Sequence, residues 1–224
     1  MIARVIIPVM IDPVSSGLAK KAMEPVGGLL KRIAGPLADE IGESLALTAR
    51  PYRIALSVKM FQKTQRMLKE SGLPAQSVPP RLFLPMVEAA SIEDDEDLHT
   101  KWSALLANAA SSPGKVHPSY IEILKQLTPD DARFLDKLYT ATSDKKHRYL
   151  NQLLLGEDQH GVPFQNLMRI GLIQITYGVD GMKVNMGHGD DPYVSGDMDE
   201  DHWLTDFTVS FIEACRAPKV IEAR

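Results

Sequence analysis

Residues 78–131 read VPPRLFLPMVEAASIEDDEDLHTKWSALLANAASSPGKVHPSYIEILKQLTPDD, and this stretch decides the fold of the 224-residue chain. Two prolines near its start impose an extended entry, because a residue before proline avoids helical geometry. An apolar helix is predicted over residues 82–90, and a second helix follows with Leu98 and Trp102 on its apolar face. A short third helix is predicted over residues 118–126. The stretch therefore predicts helices packed against helices.

The acidic run in this stretch is predicted to be the start of the second helix. Ser91 is expected to cap that helix, and Asp94 three residues later takes the place of the Glu of a capping box. Glu93, Asp95 and Glu96 also suit the positive end of a helix dipole. These acids are therefore assigned a structural role.

The longest helix is predicted over residues 50–71, before the stretch. Gly72 is suited to end it. Three cations follow one another at spacings of four and three on one face. Such a stripe could bind phosphates or anionic lipid, although most stripes of this kind are solvated faces. The three cations are Lys59, Lys63 and Arg66.

The first 33 residues allow two interpretations. Residues 1–14 are interrupted by Pro8 and Asp12 and lack a cleavage site, so a strand or extended arm is expected rather than a signal peptide. Residues 18–33 place apolar positions beside lysines and arginines. They could form a membrane-surface helix, but their glycines and prolines favour bent helices packed on their own domain.

A second domain is predicted to begin at Thr128, which can cap a helix that carries acids in its first turn. Further helices are expected through Tyr149 to Gly156 and over residues 162–170. A β hairpin is expected over residues 175–186 and a last helix over residues 204–217. Three helices, a hairpin and a packing helix follow the order of a winged-helix module.

The predicted fold class is therefore mainly α, with an N-terminal multi-helix array followed by a winged-helix-like α+β module that contains a small β hairpin. The predicted domains are an N-terminal arm with bent helices (1–33), a helical domain (34–127), a winged-helix-like domain (128–217) and a tail (218–224).

Composition narrows the classes of function. With 44% hydrophobic and 24% charged residues the chain is an ordinary globular protein. Its single cysteine, Cys215, cannot form an intramolecular disulfide and is expected to be buried, so a cytoplasmic protein is predicted. Residues 121–224 carry 11 Lys or Arg against 17 Asp or Glu. This acidity weighs against nucleic-acid binding there.

No catalytic constellation is found. The chain has no Gly-x-Ser-x-Gly nucleophile elbow and no phosphate-binding Gly-x-x-x-x-Gly-Lys loop, so neither an enzyme nor a cofactor is predicted. One polar cluster could hold a divalent ion, but its spacing matches neither a calcium loop nor a helical histidine pair, which favours an acidic loop. The metal candidates are His188, Asp190, Asp191 and His202.

The winged-helix-like module is a weak candidate for reading DNA. Its presumed recognition helix offers only Gln165, Asn166 and Arg169 as polar groove-facing residues, and its wing adds only Lys183. Recognition helices of DNA-binding proteins are usually more basic. Protein interaction or dimerisation is therefore the preferred use of the module.

A long ordered string of residues carries a family resemblance. Residues 34–216 resemble the bacterial abortive-infection alpha family, whose members are associated with phage defence. The resemblance implies an antiviral role and no known active site. Glu88, Trp102, Asn108 and His117 are motif positions. The string comprises Pro85, Glu88, Ala89, Ala90, Trp102, Leu105, Leu106, Asn108, Ala109, His117, Pro118 and residues 121–124.

The resemblance leads to one expected function and two alternatives. The leading expectation is a non-enzymatic cytoplasmic component of phage defence that binds a protein partner or itself. Its interaction candidates are the four motif positions and the basic stripe. The alternatives are a winged-helix DNA-binding regulator and a membrane-associated effector that uses residues 18–33.

Overall fold

The computed structural model describes residues 21, 23–38, 51–112, 114–142, 149–150, 161–179, 183–184, 194–195 and 198–219. Helices dominate these residues, which confirms the mainly α prediction. The helices are α1 (Gly27–Ala34), α2 (Pro51–Glu70), α3 (Pro80–Ala90), α4 (Glu96–Ser111), α5 (Ser119–Leu124), α6 (Pro129–Thr142), α7 (Val162–Arg169) and α8 (Asp206–Ala214). The strands are β1 (Tyr149–Leu150), β2 (Ile173–Val179), β3 (Lys183–Val184), β4 (Val194–Ser195) and β5 (Met198–Leu204).

The chain divides into two compact units. The first unit comprises Met1–Lys125 together with Ala214–Arg224, and the second comprises Gln126–Glu213. The chain thus leaves the first unit once and returns to it at Ala214, the last residue of α8. The sequence-based division differs because it kept residues up to 217 in the second domain; its four boundaries stay predictions.

Helices α2 and α4 form the centre of the first unit. Thr64 Oγ1 donates a hydrogen bond to the Ser103 carbonyl oxygen at 3.0 Å, and both residues are fully buried. Such small side chains let two helix backbones approach closely. The rings of Phe61 on α2 and Phe83 on α3 stack with 6.1 Å between their centroids. The largest buried side chains here are Trp102, Phe61, Phe83, Met60, Met86, Leu105 and Leu106.

Helix α1 buries its apolar side within the first unit. Leu29, Leu30 and Ile33 are buried, whereas Lys31 and Arg32 are exposed. The Val78 N–H donates to the Ile33 carbonyl oxygen at 2.8 Å, which ties the end of α1 to the entry of α3. The part of the 18–33 segment that the structure describes therefore packs as a helix of its own unit.

The predicted cap of α4 at Ser91 is wrong. Asp95 caps the helix, because its carboxylate accepts from the N–H groups of Asp97 and Leu98, both at 3.0 Å. Ser91 instead ends α3, where its hydroxyl donates to the Glu88 carbonyl oxygen at 2.7 Å. The same hydroxyl accepts from Arg53 Nη2 at 2.7 Å and Nε at 3.0 Å, so it has no capacity left to cap α4.

The predicted cap at Thr128 is confirmed. The Asp131 N–H donates to Thr128 Oγ1 at 3.2 Å, and the Thr128 N–H donates to Asp131 Oδ2 at 2.8 Å. This pair is a capping box with Asp in place of Glu. The arrangement expected at the start of α4 thus occurs at the start of α6.

Strand β5 is the middle strand of a three-stranded antiparallel sheet with the order β1-β5-β2. In its register Tyr149 and Gln174 both lie opposite Trp203, and Ile173 lies opposite Leu204. The predicted helix through Tyr149 is therefore wrong at its start, because these residues find a pairing partner in β5, far along the chain. Residues 151–160 lie outside the described part.

The hairpin prediction placed the return strand too early. Ile173–Val179 pairs with Met198–Leu204, while Lys183–Val184 pairs with Val194–Ser195. Leu204, expected in the last helix, belongs to β5, and Thr205 precedes α8. Thr205 Oγ1 accepts from the Thr208 N–H at 3.0 Å, a capping bond that fixes where the strand gives way to the helix.

Candidate interaction surface

Helix α3 carries four residues that point away from the buried side. Arg81, Leu84 and Glu88 are exposed on the helix, and Ile92 follows just after its end. Spacings of three and four place Arg81, Leu84 and Glu88 on one face of the helix, and Ile92 follows four residues later in the turn that ends it. Leu84 is 48% exposed and Ile92 63% exposed, which is high for large apolar side chains. Neither Arg81 nor Glu88 has an ion-pair partner among the described residues. We call these four residues the α3 ridge.

Two of the three cations in the basic stripe of α2 share one carboxylate within the first unit. Lys63 Nζ lies 2.7 Å from Glu96 Oε1 and donates to Thr100 Oγ1 at 2.7 Å, while Lys59 bonds the other carboxylate oxygen. Hydrogen bonds from Lys59 and Lys63 lower the pKa of Glu96 to about 2. Only Arg66 of the predicted stripe lacks a described ion pair. Two of the three cations of the stripe are therefore already engaged in ion pairs within the first unit.

Trp102 is a packing residue. Only 1% of its surface is exposed, and its side chain makes a hydrogen bond to Glu93, which also accepts from the Asp95 N–H at 3.1 Å. Burial raises the pKa of Glu93, and these hydrogen bonds oppose the rise. Trp102 therefore anchors the loop before α4 instead of contacting solvent.

Asn108 fastens the end of the chain to the first unit. Its Nδ2 donates to the carbonyl oxygens of Ala214 at 2.9 Å and Arg216 at 2.7 Å, and it also lies 3.0 Å from that of Ala104. Ala214 is the last residue of α8, whose final carbonyls lack partners inside the helix. Asn108 thus acts as a side-chain cap for α8, and sequence spacing alone gave no sign of this contact.

His117 is exposed and organises the start of α5. Its Nδ1 accepts from the Ser119 N–H at 3.2 Å and lies 2.6 Å from Ser119 Oγ. The ring packs edge-on against Tyr120 with 6.2 Å between centroids. Because Nδ1 is occupied locally, the interaction candidate His117 has a structural role in the turn before α5.

His99 is a buried histidine that the sequence did not single out. It is 1% exposed, and Nε2 lies 3.0 Å from the Leu56 carbonyl oxygen, so Nε2 carries the proton. Nδ1 is a buried side-chain atom with no partner among the described residues. Burial lowers the pKa of His99, and the charges of Lys63 and Lys59 lower it further, against the bond to Leu56. The imidazole is therefore held neutral.

The stability of the first unit is expected to fall as pH drops from 7 to 5. The pKa of His99 is lower in the folded than in the unfolded chain, where it is near 6.5. Below that pH the unfolded state therefore binds more protons than the folded state, and the free energy of unfolding falls. Urea unfolding at several pH values should show a smaller decrease for His99→Gln than for the wild type. A decrease in His99→Gln as large as that of the wild type would contradict the prediction.

The polar residues of the presumed recognition helix, α7, are engaged internally. Asn166 Nδ2 donates to Asp131 Oδ2 at 2.7 Å, and Asn166 Oδ1 accepts from Arg169 Nη2 at 2.7 Å and Nε at 3.0 Å. Arg169 also reaches Gln126 Oε1 at 3.4 Å. These bonds tie α7 to the start of α6. Two of the polar groups expected to face a DNA groove therefore stabilise the second unit.

The metal candidates and Cys215 complete the residues that the sequence singled out. His188, Asp190 and Asp191 lie outside the described residues, and His202 lies on β5 opposite Ile175 and Leu150. Within the described part no group of His, Cys, Asp and Glu has the arrangement of a metal site. Cys215 is buried, as predicted.

The described residues contain no helix with the length and apolar content needed to cross a bilayer. Because α1 buries Leu29, Leu30 and Ile33, a membrane could take up this segment only after it left the first unit.

The α3 ridge was only partly visible in the sequence. Glu88 was named as a motif position, but Arg81, Leu84 and Ile92 were not distinguished from the apolar helix around them. A helical projection contained the signal. Positions 82, 83, 86, 87 and 90 form the buried side of α3, which leaves 81, 84 and 88 facing outward.

Fold and surface together define a mainly helical protein of two compact units, the second with a small antiparallel sheet. The chain belongs to the abortive infection alpha family, whose model matches residues 55–215. The resemblance predicted over residues 34–216 is thereby confirmed over this range. Neither the curated proteins nor the solved structures contain a match. Family membership points to a role in abortive-infection defence.

Proposed function

We propose that the protein serves abortive-infection defence in the cytoplasm as a binding protein without a catalytic step, and that the α3 ridge is its contact surface. The observation that supports the proposal is that the motif positions of the family divide into residues used inside the first unit and an exposed residue. Trp102 and Asn108 are taken up by packing and capping inside the first unit. Glu88 stands exposed beside the exposed Leu84, with no ion pair among the described residues.

The physical properties of the ridge suit a protein partner. Exposed apolar side chains flanked by charges resemble the core and rim of protein interfaces. Leu84 and Ile92 would supply the apolar part, and Arg81 and Glu88 the charged edge. The basic stripe, in contrast, has two of its three cations paired with Glu96. The basic stripe is therefore less suited to a ligand that binds only through cationic side chains.

The proposal predicts loss of phage protection when the ridge is altered. Glu88→Arg reverses a charge at an exposed position, so folding should be kept while the contact is lost. Plaque counts on cells that express this variant are expected to rise to the level of cells lacking the gene. Arg66→Glu, an equal charge reversal on the exposed side of α2, should leave protection at the wild-type level. Immunoblots must show equal amounts of each protein.

Two outcomes of the plating assay would reject the proposal. If the wild type protects against no member of a broad phage panel, the defence role falls. If Glu88→Arg protects as well as the wild type, the ridge is not the contact surface.

A winged-helix DNA-binding regulator is the second candidate. The strand order β1-β5-β2, with α7 immediately before β2, is the order expected of a winged helix and supports it. The internal bonds of Asn166 and Arg169 oppose it. Binding to duplex DNA that weakens steeply as salt rises would favour this candidate. Absence of such binding would leave the protein-binding role as the better account.

A further inference from the structure

The charges of the α3 ridge oppose the dipole of their own helix. The first turn of a helix favours negative charge and the last turn favours positive charge. Arg81 lies in the first turn of α3 and Glu88 in the last, and the helix has neither an acid in its first turn nor a base in its last. Each charge therefore destabilises α3 slightly as an isolated helix. The positions of Arg81 and Glu88 therefore need an explanation other than the stability of α3 itself.

An antiparallel helix with the same ridge would satisfy both charges. Arg81 and Glu88 are seven residues apart, which is about two turns or ~10 Å along the axis. A two-fold axis through the midpoint brings Arg81 of each copy opposite Glu88 of the other. Leu84 then lies beside the axis and meets its own equivalent. The Arg81, Leu84 and Glu88 positions of the ridge are thus self-complementary, as an isologous interface requires.

We infer that the α3 ridge is the contact between two copies of this chain, packed antiparallel with Leu84 at the centre and one Arg81–Glu88 ion pair on each side of it. This inference rests on the proposed function in that it assigns a partner to the same surface. Antiparallel packing also sets the two helix dipoles in opposite directions. Interaxial distances of about 8–10 Å leave room for an arginine to reach a glutamate across the interface.

Charge reversal tests the inference on the purified full-length chain. Sedimentation velocity across a concentration series should show the wild type passing from monomer to dimer. Arg81→Glu alone and Glu88→Arg alone each place like charges opposite one another, and each should weaken the dimer about tenfold or more. An equal mixture of these two variants should restore it, because one chain then presents two negative positions and the other two positive positions. The double variant R81E/E88R should also recover dimerisation.

Three further variants sharpen the result. Arg66→Glu and Glu70→Arg change the same charges at exposed positions on α2 and should leave the dimer unchanged. Leu84→Cys should form a disulfide-linked dimer under mild oxidation, whereas the buried Cys215 should not. Circular dichroism must show that every variant keeps its helices.

The inference is overturned if the wild type is monomeric throughout the series, or if mixing the single variants fails to restore the dimer. It is also overturned if either single variant dimerises like the wild type. These measurements need no phage, so a failed plating assay does not decide them. A monomeric wild type whose protection still depends on Glu88 would remove the second copy as partner and leave the proposed function intact.

Discussion

Replacing Trp102 by alanine is expected to lower the free energy of unfolding of the first unit by about 3–5 kcal/mol. Trp102 is the largest fully buried side chain among the residues that the structure describes. Its removal would leave a cavity between the helices. Because protein cores are packed as densely as organic crystals, the neighbouring side chains cannot fully fill that cavity. The change would also remove the hydrogen bond to Glu93 that anchors the loop before α4.

Fluorescence can assign this loss to the correct unit, because the chain has two tryptophans. Trp102 lies in the first unit and Trp203 in the second. Urea unfolding followed by circular dichroism gives the stability of Trp102→Ala, while the remaining Trp203 reports on the second unit. Trp203→Phe is the control; Trp203 is 37% exposed, so its replacement should cost less than about 1 kcal/mol. Equal losses in the two variants would show that Trp102 is not a core anchor.

Replacing Asn108 by aspartate is expected to destabilise the first unit by about 2–4 kcal/mol. The two side chains have nearly the same shape, but a carboxylate cannot donate to the carbonyl oxygens of Ala214 and Arg216. Those acceptors would lose their partner and face a negative charge at the negative end of α8. Because Asn and Asp differ at only one heavy atom, such a loss of stability would come from hydrogen bonding and charge and not from packing.

An exposed amide provides the matched control for Asn108. Gln62→Glu makes the same amide-to-acid change on the exposed side of α2 and should alter stability by less than about 0.5 kcal/mol. Hydrogen exchange should further show faster exchange in the last turn of α8 for Asn108→Asp. If this turn remains as protected as in the wild type, Asn108 does not cap it.

Local signals were sufficient for some parts of the fold. Pro51 and Gly72 bracket α2, which ends at Glu70 with Gly72 at φ 66°, a conformation that glycine adopts readily. Thr128 and Asp131 lie three residues apart, and each side chain bonds to the other's backbone N–H at the start of α6, so this capping pair could be read from spacing. In both cases the determining groups are neighbours in the sequence.

Distant partners decided the parts that were predicted wrongly. Ser91 has the sequence of a cap, but Arg53, 38 residues earlier, occupies its hydroxyl. Tyr149 has an apolar helical neighbourhood, yet it pairs with Trp203 on β5. No local pattern contains the position of such a partner.

The candidate surface shows the same limit. In the sequence Lys59 and Lys63 belong to an apparently free basic stripe. In the structure both lysines pair with Glu96, which lies on another helix. Glu88 was identified through the family motif, whereas Arg81 and Leu84 acquire meaning only once the buried side of α3 is known. Exposure, unlike residue type, is a property of the assembled helices.

The return of the chain to its first unit has a consequence for synthesis on the ribosome. Asn108 can donate to the Ala214 carbonyl oxygen only after Ala214, which is 106 residues further along, has been synthesised. At about 5–20 residues per second, roughly 5–20 seconds pass between the translation of the two residues. The whole second unit emerges in that interval. Throughout that interval the nascent first unit therefore lacks the hydrogen bond between Asn108 and the Ala214 carbonyl oxygen.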